Sequence, residues 1–133
     1  MNYYFPSILD SIKPPERELP PAWMTVDSGE NAIRLLLRSY KLPKGSTVAV
    51  PFYVCDSLKQ AVLKEELSLL YLDLKDDGSF WSDYAPIEKE MPAAVILVHL
   101  YGFLHPDSKK VMDFCLANKI PLIHDAAQSY GIN

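Results

Sequence analysis

Basic residues are in the minority in this chain: 13 lysines and arginines stand against 17 aspartates and glutamates, a formal net charge of −4. A general nucleic-acid binder needs a basic face to displace counterions from phosphates, so the balance argues against that class. Long apolar runs are missing too, the longest falling far short of the roughly 20 residues that a membrane-spanning helix requires. The opening stretch MNYYFPSILD lacks the basic start and the cleavage site of a secretory signal. Cysteine is scarce, and Cys55 and Cys115 fit no CxxC or zinc spacing. A reduced cytoplasmic compartment is the expectation. Internal repeats and low-complexity segments are absent.

What is present is ordinary globular composition, 49% hydrophobic and 23% charged over 133 residues, enough for one modest domain. The chain divides into an arm and a body. Residues 1–22 hold five of the eleven prolines, so this segment is short of backbone donors and is expected to run extended over a surface, with Tyr3, Tyr4 and Phe5 as anchors. From Trp23 the pattern changes. AWMTV reads as a short strand, and DSGENAIRLLLRSYKL as a helix, with Asp27 and Glu30 at capping-box spacing and Ile33, Leu36, Leu37 and Tyr40 on one face. STVAVP follows as a buried strand, DSLKQAVLKEE as a helix with Leu58, Ala61, Val62 and Glu65 along one face, and LSLLYLDL as a strand. A polar connection then turns at Asp77-Gly78. AAVILVHLYG is apolar almost throughout, as a strand covered on both faces should be. HPDSKKVMDFCLANK is an amphipathic helix with Val111, Phe114 and Cys115 inward, and IPLIHD is the last strand. This alternation predicts an α/β fold, a mainly parallel sheet with helices on both faces.

In such sheets, ligands sit beyond the carboxyl ends of the strands. The first strand tip offers DSGENA, where Gly29 lets a backbone come close and the free N–H groups of a helix start favour an anion, although taken alone these residues more often mean a plain capped helix after a tight turn. The second offers PFYVCD, in which the aromatics read as core or rim and Cys55 as a small buried hydrophobe. The fourth offers His99, Tyr101 and Gly102, and a strand-end histidine is more often a hydrogen-bonded structural group than a catalyst. The fifth offers His124, Asp125 and Gln128. A buried strand-tip aspartate is costly without a cationic or donor partner. A metal site from His99, His124 and Asp125 has suitable donors but no diagnostic spacing, and no metal is expected.

Taken together, SGENAIRLLL, VAVPFYVCDSLKQAV, ILVHLYG and PLIHDAAQSYG stand in the order and spacing of the DegT/DnrJ/EryC1/StrS sugar aminotransferases, which the chain resembles over about residues 23–131. The resemblance implies the type I aspartate-aminotransferase fold and pyridoxal 5′-phosphate as cofactor. It assigns Asp125 to the protonated pyridine nitrogen, Gln128 to the neighbourhood of the 3-hydroxyl, and the backbone at Gly29 and Glu30 to the phosphate. The aromatic that stacks on the ring in the family aligns with Cys55, which leaves Tyr53 as its substitute. Glu30 stands where the family has Thr or Ser, so the phosphate contact there would be through the backbone alone.

The family's Schiff-base lysine lies further along, and this sequence has no lysine after Lys119. No catalytic residue is therefore expected within the chain. Residues 23–133 read as a partial large domain, the N-terminal portion of a larger enzyme in which further strands and a small domain follow. By resemblance the substrates are a keto sugar nucleotide and an amino donor, in amino-sugar biosynthesis for surface polysaccharide or related glycans, and the enzyme is a homodimer. Two alternatives stand beside this: a dehydratase of the same family, in which histidine replaces the lysine, and a truncated non-catalytic module of the fold.

Overall fold

The computed structural model describes residues 24–129, so the proline-rich arm with Tyr3, Tyr4 and Phe5 lies outside the described residues. Four strands, β1 (Thr47–Pro51), β2 (Ser68–Leu72), β3 (Ala94–Val98) and β4 (Leu122–Asp125), form one parallel sheet in the order β2-β1-β3-β4. Among the described residues four helices accompany them: α1 (Gly29–Ser39), α2 (Asp56–Leu63), α3 (Ile87–Glu90) and α4 (Ser108–Ala117).

Side-chain alternation along the strands splits the core into two layers. Val48 and Val50 of β1, with Ala94, Ile96 and Val98 of β3 and Ile123 of β4, pack under Ile33 and Leu37 of α1 and Leu58, Ala61 and Val62 of α2. Ala49, Leu72, Val95 and Leu97 point the other way, against Tyr84, Ile87 of α3, and Val111 and Cys115 of α4. All five residues of β3 are buried because both of its faces are covered. Each Val, Leu or Ile so buried is worth roughly 1.5–3 kcal/mol, so β1 and β3 at the sheet centre contribute a large share of the fold's stability. Burial of the Cys115 thiol pushes its pKa up to about 11, which keeps it a neutral core group.

Several local readings are corrected. Met24, Thr25 and Val26 form no strand and are exposed; the sheet among the described residues offers them no neighbour to pair with, and an isolated strand has no ladder to hold it. Ser28, not Asp27, caps α1: its Oγ accepts from the Asn31 N–H at 3.2 Å, while Asp27 Oδ1 takes Asn31 Nδ2 at 2.7 Å. Glu30 does not close a capping box, because Lys64 Nζ reaches its carboxylate at 2.6 Å. Glu65 lies beyond the last turn of α2 and is gripped by Arg34 Nε and Arg38 Nε at 2.7 and 2.6 Å, with the Arg38 hydrogen bond foremost in holding its carboxyl below the usual range. The short helix α3 carries no hydrophobic period long enough to be read from sequence. No helix among the described residues is long and apolar enough to cross a membrane.

Candidate functional site

The strand order reverses between β1 and β3, since β2 lies on one side of β1 and β4 on the far side of β3. At such a switch point the loops leaving the two central strands diverge and open a crevice. A cleft of about 350 Å³ lies there, lined by Tyr53 and Cys55 after β1, Tyr101 after β3, and Asp125 and Gln128 at the end of β4. A second cleft of about 340 Å³ adjoins it, lined by Gly29 and Glu30 at the start of α1, by Ser57, and again by Cys55 and Asp125. Gly29, Glu30, Tyr53, Asp125 and Gln128 thus surround one continuous region on one edge of the sheet.

Asp125 belongs to both clefts. Its Oδ1 accepts from the Ala127 N–H at 3.1 Å, and no lysine, arginine or histidine among the described residues forms an ion pair with it. A carboxylate held by one backbone donor in a cleft is poised for a cation. At the other end, the Gly29 and Glu30 N–H groups have no hydrogen-bond acceptor among the described residues. A Cβ built on Gly29 meets nothing within 4 Å, so the absent side chain leaves open space.

The turns beyond β3 and β4 are stitched together. Tyr101 and Gly102 are both left-handed, with φ of 53° and 84°. The Phe103 N–H closes their turn on the Leu100 carbonyl at 2.9 Å. Gln128 Oε1 accepts from the Tyr101 N–H at 3.0 Å, and Ser129 Oγ donates to the carbonyls of His99 and Phe103 at 3.0 and 3.2 Å. Over the cleft mouth the Tyr53 and Tyr101 hydroxyls stand 3.5 Å apart, and the Phe80 ring meets the Tyr101 ring edge-on at 5.1 Å. The Tyr53 hydroxyl raises the Tyr101 phenol pKa above its ordinary value.

Behind this wall runs a histidine chain. His99 is buried; its Nδ1 accepts from the His105 N–H at 3.0 Å, which leaves the proton of the neutral ring on Nε2, 2.9 Å from His124 Nδ1. Burial is the main cause lowering both pKa values, and the neighbouring His124 lowers that of His99 further. His99 is therefore the hydrogen-bonded structural residue expected of a strand-end histidine. No cluster of three metal-ligating side chains exists among the described residues, so His99, His124 and Asp125 do not converge.

Cys55 departs from its reading as a buried hydrophobe. It is exposed, in the wall shared by the two clefts, with Sγ 3.1 Å from Ser57 Oγ. One contributor was missed, and one was named without its partner. His105 gave no sequence signal, because its partners are backbone groups. Tyr101 and Gly102 were named at their strand tip, but the hydrogen-bond partner of their turn lies 27 residues on and gave no local signal.

Comparisons with known proteins agree with this architecture. The model of the DegT/DnrJ/EryC1/StrS aminotransferase family matches residues 22–133. UDP-N-acetyl-3-dehydro-alpha-D-glucosamine 3-aminotransferase of Acidithiobacillus ferrooxidans is 32% identical over 107 residues, covering 78% of this chain and 28% of the relative. The putative pyridoxal phosphate-dependent aminotransferase EpsN of Bacillus subtilis is 29% identical over 124 residues, 87% of this chain and 32% of its own length. The crystal structure of NtdA from Bacillus subtilis with bound cofactor PMP superposes with a TM-score of 0.69 at 29% identity, over 78% of this chain and 24% of that one. The chain thus spans about a third or less of the relatives it matches.

Proposed function

The chain belongs to the DegT/DnrJ/EryC1/StrS aminotransferase family, and from that premise we propose that it supplies the N-terminal part of a pyridoxal 5′-phosphate site in an enzyme that aminates a keto sugar nucleotide, in amino-sugar biosynthesis for surface polysaccharide or related glycans. The observation that carries this reading is Asp125, a carboxylate shared by both clefts and held, among the described residues, only by the Ala127 N–H. A protonated pyridine nitrogen is a cation of the right kind for it. The residues at the far end fit the phosphate, with open space over Gly29 and two N–H groups at the start of α1. The Lys64 ammonium answers the repulsion that Glu30 threatened, by neutralising its carboxylate at 2.6 Å.

When bound, pyridoxal phosphate supplies an electron sink that loosens the bonds at the amino donor's α-carbon. In this reading Asp125 keeps the proton on the ring nitrogen, the Gly29 and Glu30 amides hold the phosphate, Gln128 serves the 3-oxygen, and Tyr53 takes the place of the stacking aromatic. Tyr53 and Tyr101 rim the mouth, where the sugar nucleotide would enter. Among the described residues no lysine borders either cleft, so none of them is placed to serve as the catalytic amine. Domain limits of 1–22 for an arm and 23–133 for a partial large domain, a homodimeric enzyme and a cytoplasmic location belong to the same proposal.

Cys55 where the stacking aromatic is usual favours one second reading, a non-catalytic module of this fold. A dehydratase would use the same residues of this chain. Incubation with pyridoxal phosphate, borohydride reduction and peptide mapping tests the assignment of the amine. The expected result is no turnover and only scattered, low-level labelling of surface lysines. A stoichiometric adduct at one lysine, with transamination, would contradict it.

A further inference from the structure

Among the described residues, five that are not glycine adopt left-handed backbone conformations: Lys41, Glu66, Met91, Tyr101 and Lys119. Four of them terminate helices. Lys41 and Lys119 follow the C-caps of α1 and α4, Met91 is the C-cap of α3, and Glu66 closes the turn after α2. That is where left-handed residues ordinarily serve, capping carbonyls that the helix leaves open. Tyr101 ends no helix. It stands with Gly102 as the two central residues of a tight turn at the tip of β3, at φ 53° and 84°, closed by the bond from Phe103 N–H to Leu100 O. Two consecutive left-handed residues are the pattern of a type I′ turn, which favours Asn-Gly or Gly-Gly and tolerates a bulky first residue poorly. Strain of this kind persists only where the surroundings over-determine it.

Those surroundings are the turn after β4. The Tyr101 N–H, turned outward, donates to Gln128 Oε1 at 3.0 Å, and Ser129 Oγ pins the carbonyls on either side of the Tyr101 turn. A backbone N–H can only donate, so the end of the Gln128 amide that meets it must be the oxygen. The other end is then the nitrogen, which finds no acceptor among the described residues, on a side chain that lines the larger cleft beside Asp125.

We propose that Tyr101 is a positioning residue whose left-handed N–H fixes the Gln128 amide with its NH2 offered to the cleft, so that the site selects an oxyanion at that point: the deprotonated 3-oxygen of a pyridoxal-type ring. The proposal rests on the cofactor reading above and adds to it a direction. Were the amide free to turn over, Gln128 would serve a hydroxyl or an oxyanion equally; latched, it can only donate. A donor to O3 and a carboxylate at Asp125 together favour the form of the ring with a proton on nitrogen and none on the 3-oxygen. The Tyr101 ring is not needed for this, only its backbone.

The test uses the full chain and 4-deoxypyridoxine 5′-phosphate, which has the ring, the 3-hydroxyl and the phosphate but no aldehyde for lysines to capture. Amide exchange of Tyr101 by NMR reads the latch, and ultraviolet titration of the bound 3-hydroxyl reads the donor. In the wild type the Tyr101 amide is expected to be protected, and the 3-hydroxyl to ionise at lower pH bound than free. Gln128→Glu keeps an acceptor for Tyr101 and removes the donor, so protection should persist while affinity falls about tenfold and the ionisation shift disappears. Tyr101→Gly, which suits the turn and keeps the N–H, should preserve both readouts; Tyr101→Val, which resists the left-handed conformation, should lose both. An unprotected Tyr101 amide in the wild type, or loss of the ionisation shift in Tyr101→Gly, would each overturn the proposal. Failure of the wild type to bind the probe while Tyr101 stays protected would overturn the cofactor reading, and the donor role with it. Binding that Gln128→Glu leaves untouched would overturn the donor role alone.

Discussion

His105 is a charge-capable group that the fold keeps neutral. Its ring is 2% exposed, with edge-on contacts to Trp81 and Tyr84 at 4.9 Å each, Nδ1 accepting from the Asp107 N–H and Nε2 donating to the Ser82 carbonyl. Burial pushes its pKa down to about 4, against some opposition from the Asp107 charge. The unfolded chain binds a proton at this residue near pH 6.5, whereas the folded chain does so only near 4. Stability is therefore full above about pH 6.5 and falls as pH drops toward 4, by roughly 3 kcal/mol for this residue. His99 and His124, whose pKa values are also lowered, act in the same direction. Denaturant midpoints at pH 7 and pH 4.5 check this: the wild type should lose stability between them, and His105→Gln should lose distinctly less. The place of Asp125 at the tip of the last strand was legible from the apolar run before it. The role of His105 was not, because nothing near it in sequence announces backbone partners 23 and two residues away.

At the scale of elements, the strands and long helices were legible because hydrophobic period survives in them, and β3 most of all, being apolar on both faces. Ends and exceptions were less so. Ser28 and Asp27 are both good caps, and only the geometry decides that Ser28 Oγ takes the Asn31 N–H. The AWMTV strand was read from composition, but a strand requires a neighbour, which sequence period cannot supply. Helix α1 joins these matters to function through its first residue. Gly29 costs the helix stability relative to alanine, by up to about 1 kcal/mol in a helix interior, and its missing Cβ would meet nothing within 4 Å. Gly29→Ala should therefore leave the fold as stable or slightly more stable in thermal melts. The new methyl would stand in the open space of the smaller cleft, and affinity for pyridoxal phosphate, followed by fluorescence titration, should fall about tenfold through crowding at the helix-terminal anion site. A melt unchanged with affinity also unchanged would place the phosphate elsewhere.

For the whole molecule, the sheet order β2-β1-β3-β4 explains why residues from distant parts of the chain meet. The switch point between β1 and β3 opens the larger cleft, α1 brings its N-terminus to the smaller one, and β4 sets Asp125 where they join. The order was not legible from the alternation of elements, which says that strands are parallel but not which are neighbours. The central claim is that Asp125 is the counter-charge for the ring nitrogen of the bound cofactor, and 15N NMR of pyridoxal 5′-phosphate labelled at that nitrogen reads it directly. Bound to the wild-type chain at neutral pH, the nitrogen should show the chemical shift of the protonated ring. Bound to Asp125→Asn, with the phosphate anchor intact, it should show that of the unprotonated ring; a nitrogen equally protonated in both proteins would contradict the account.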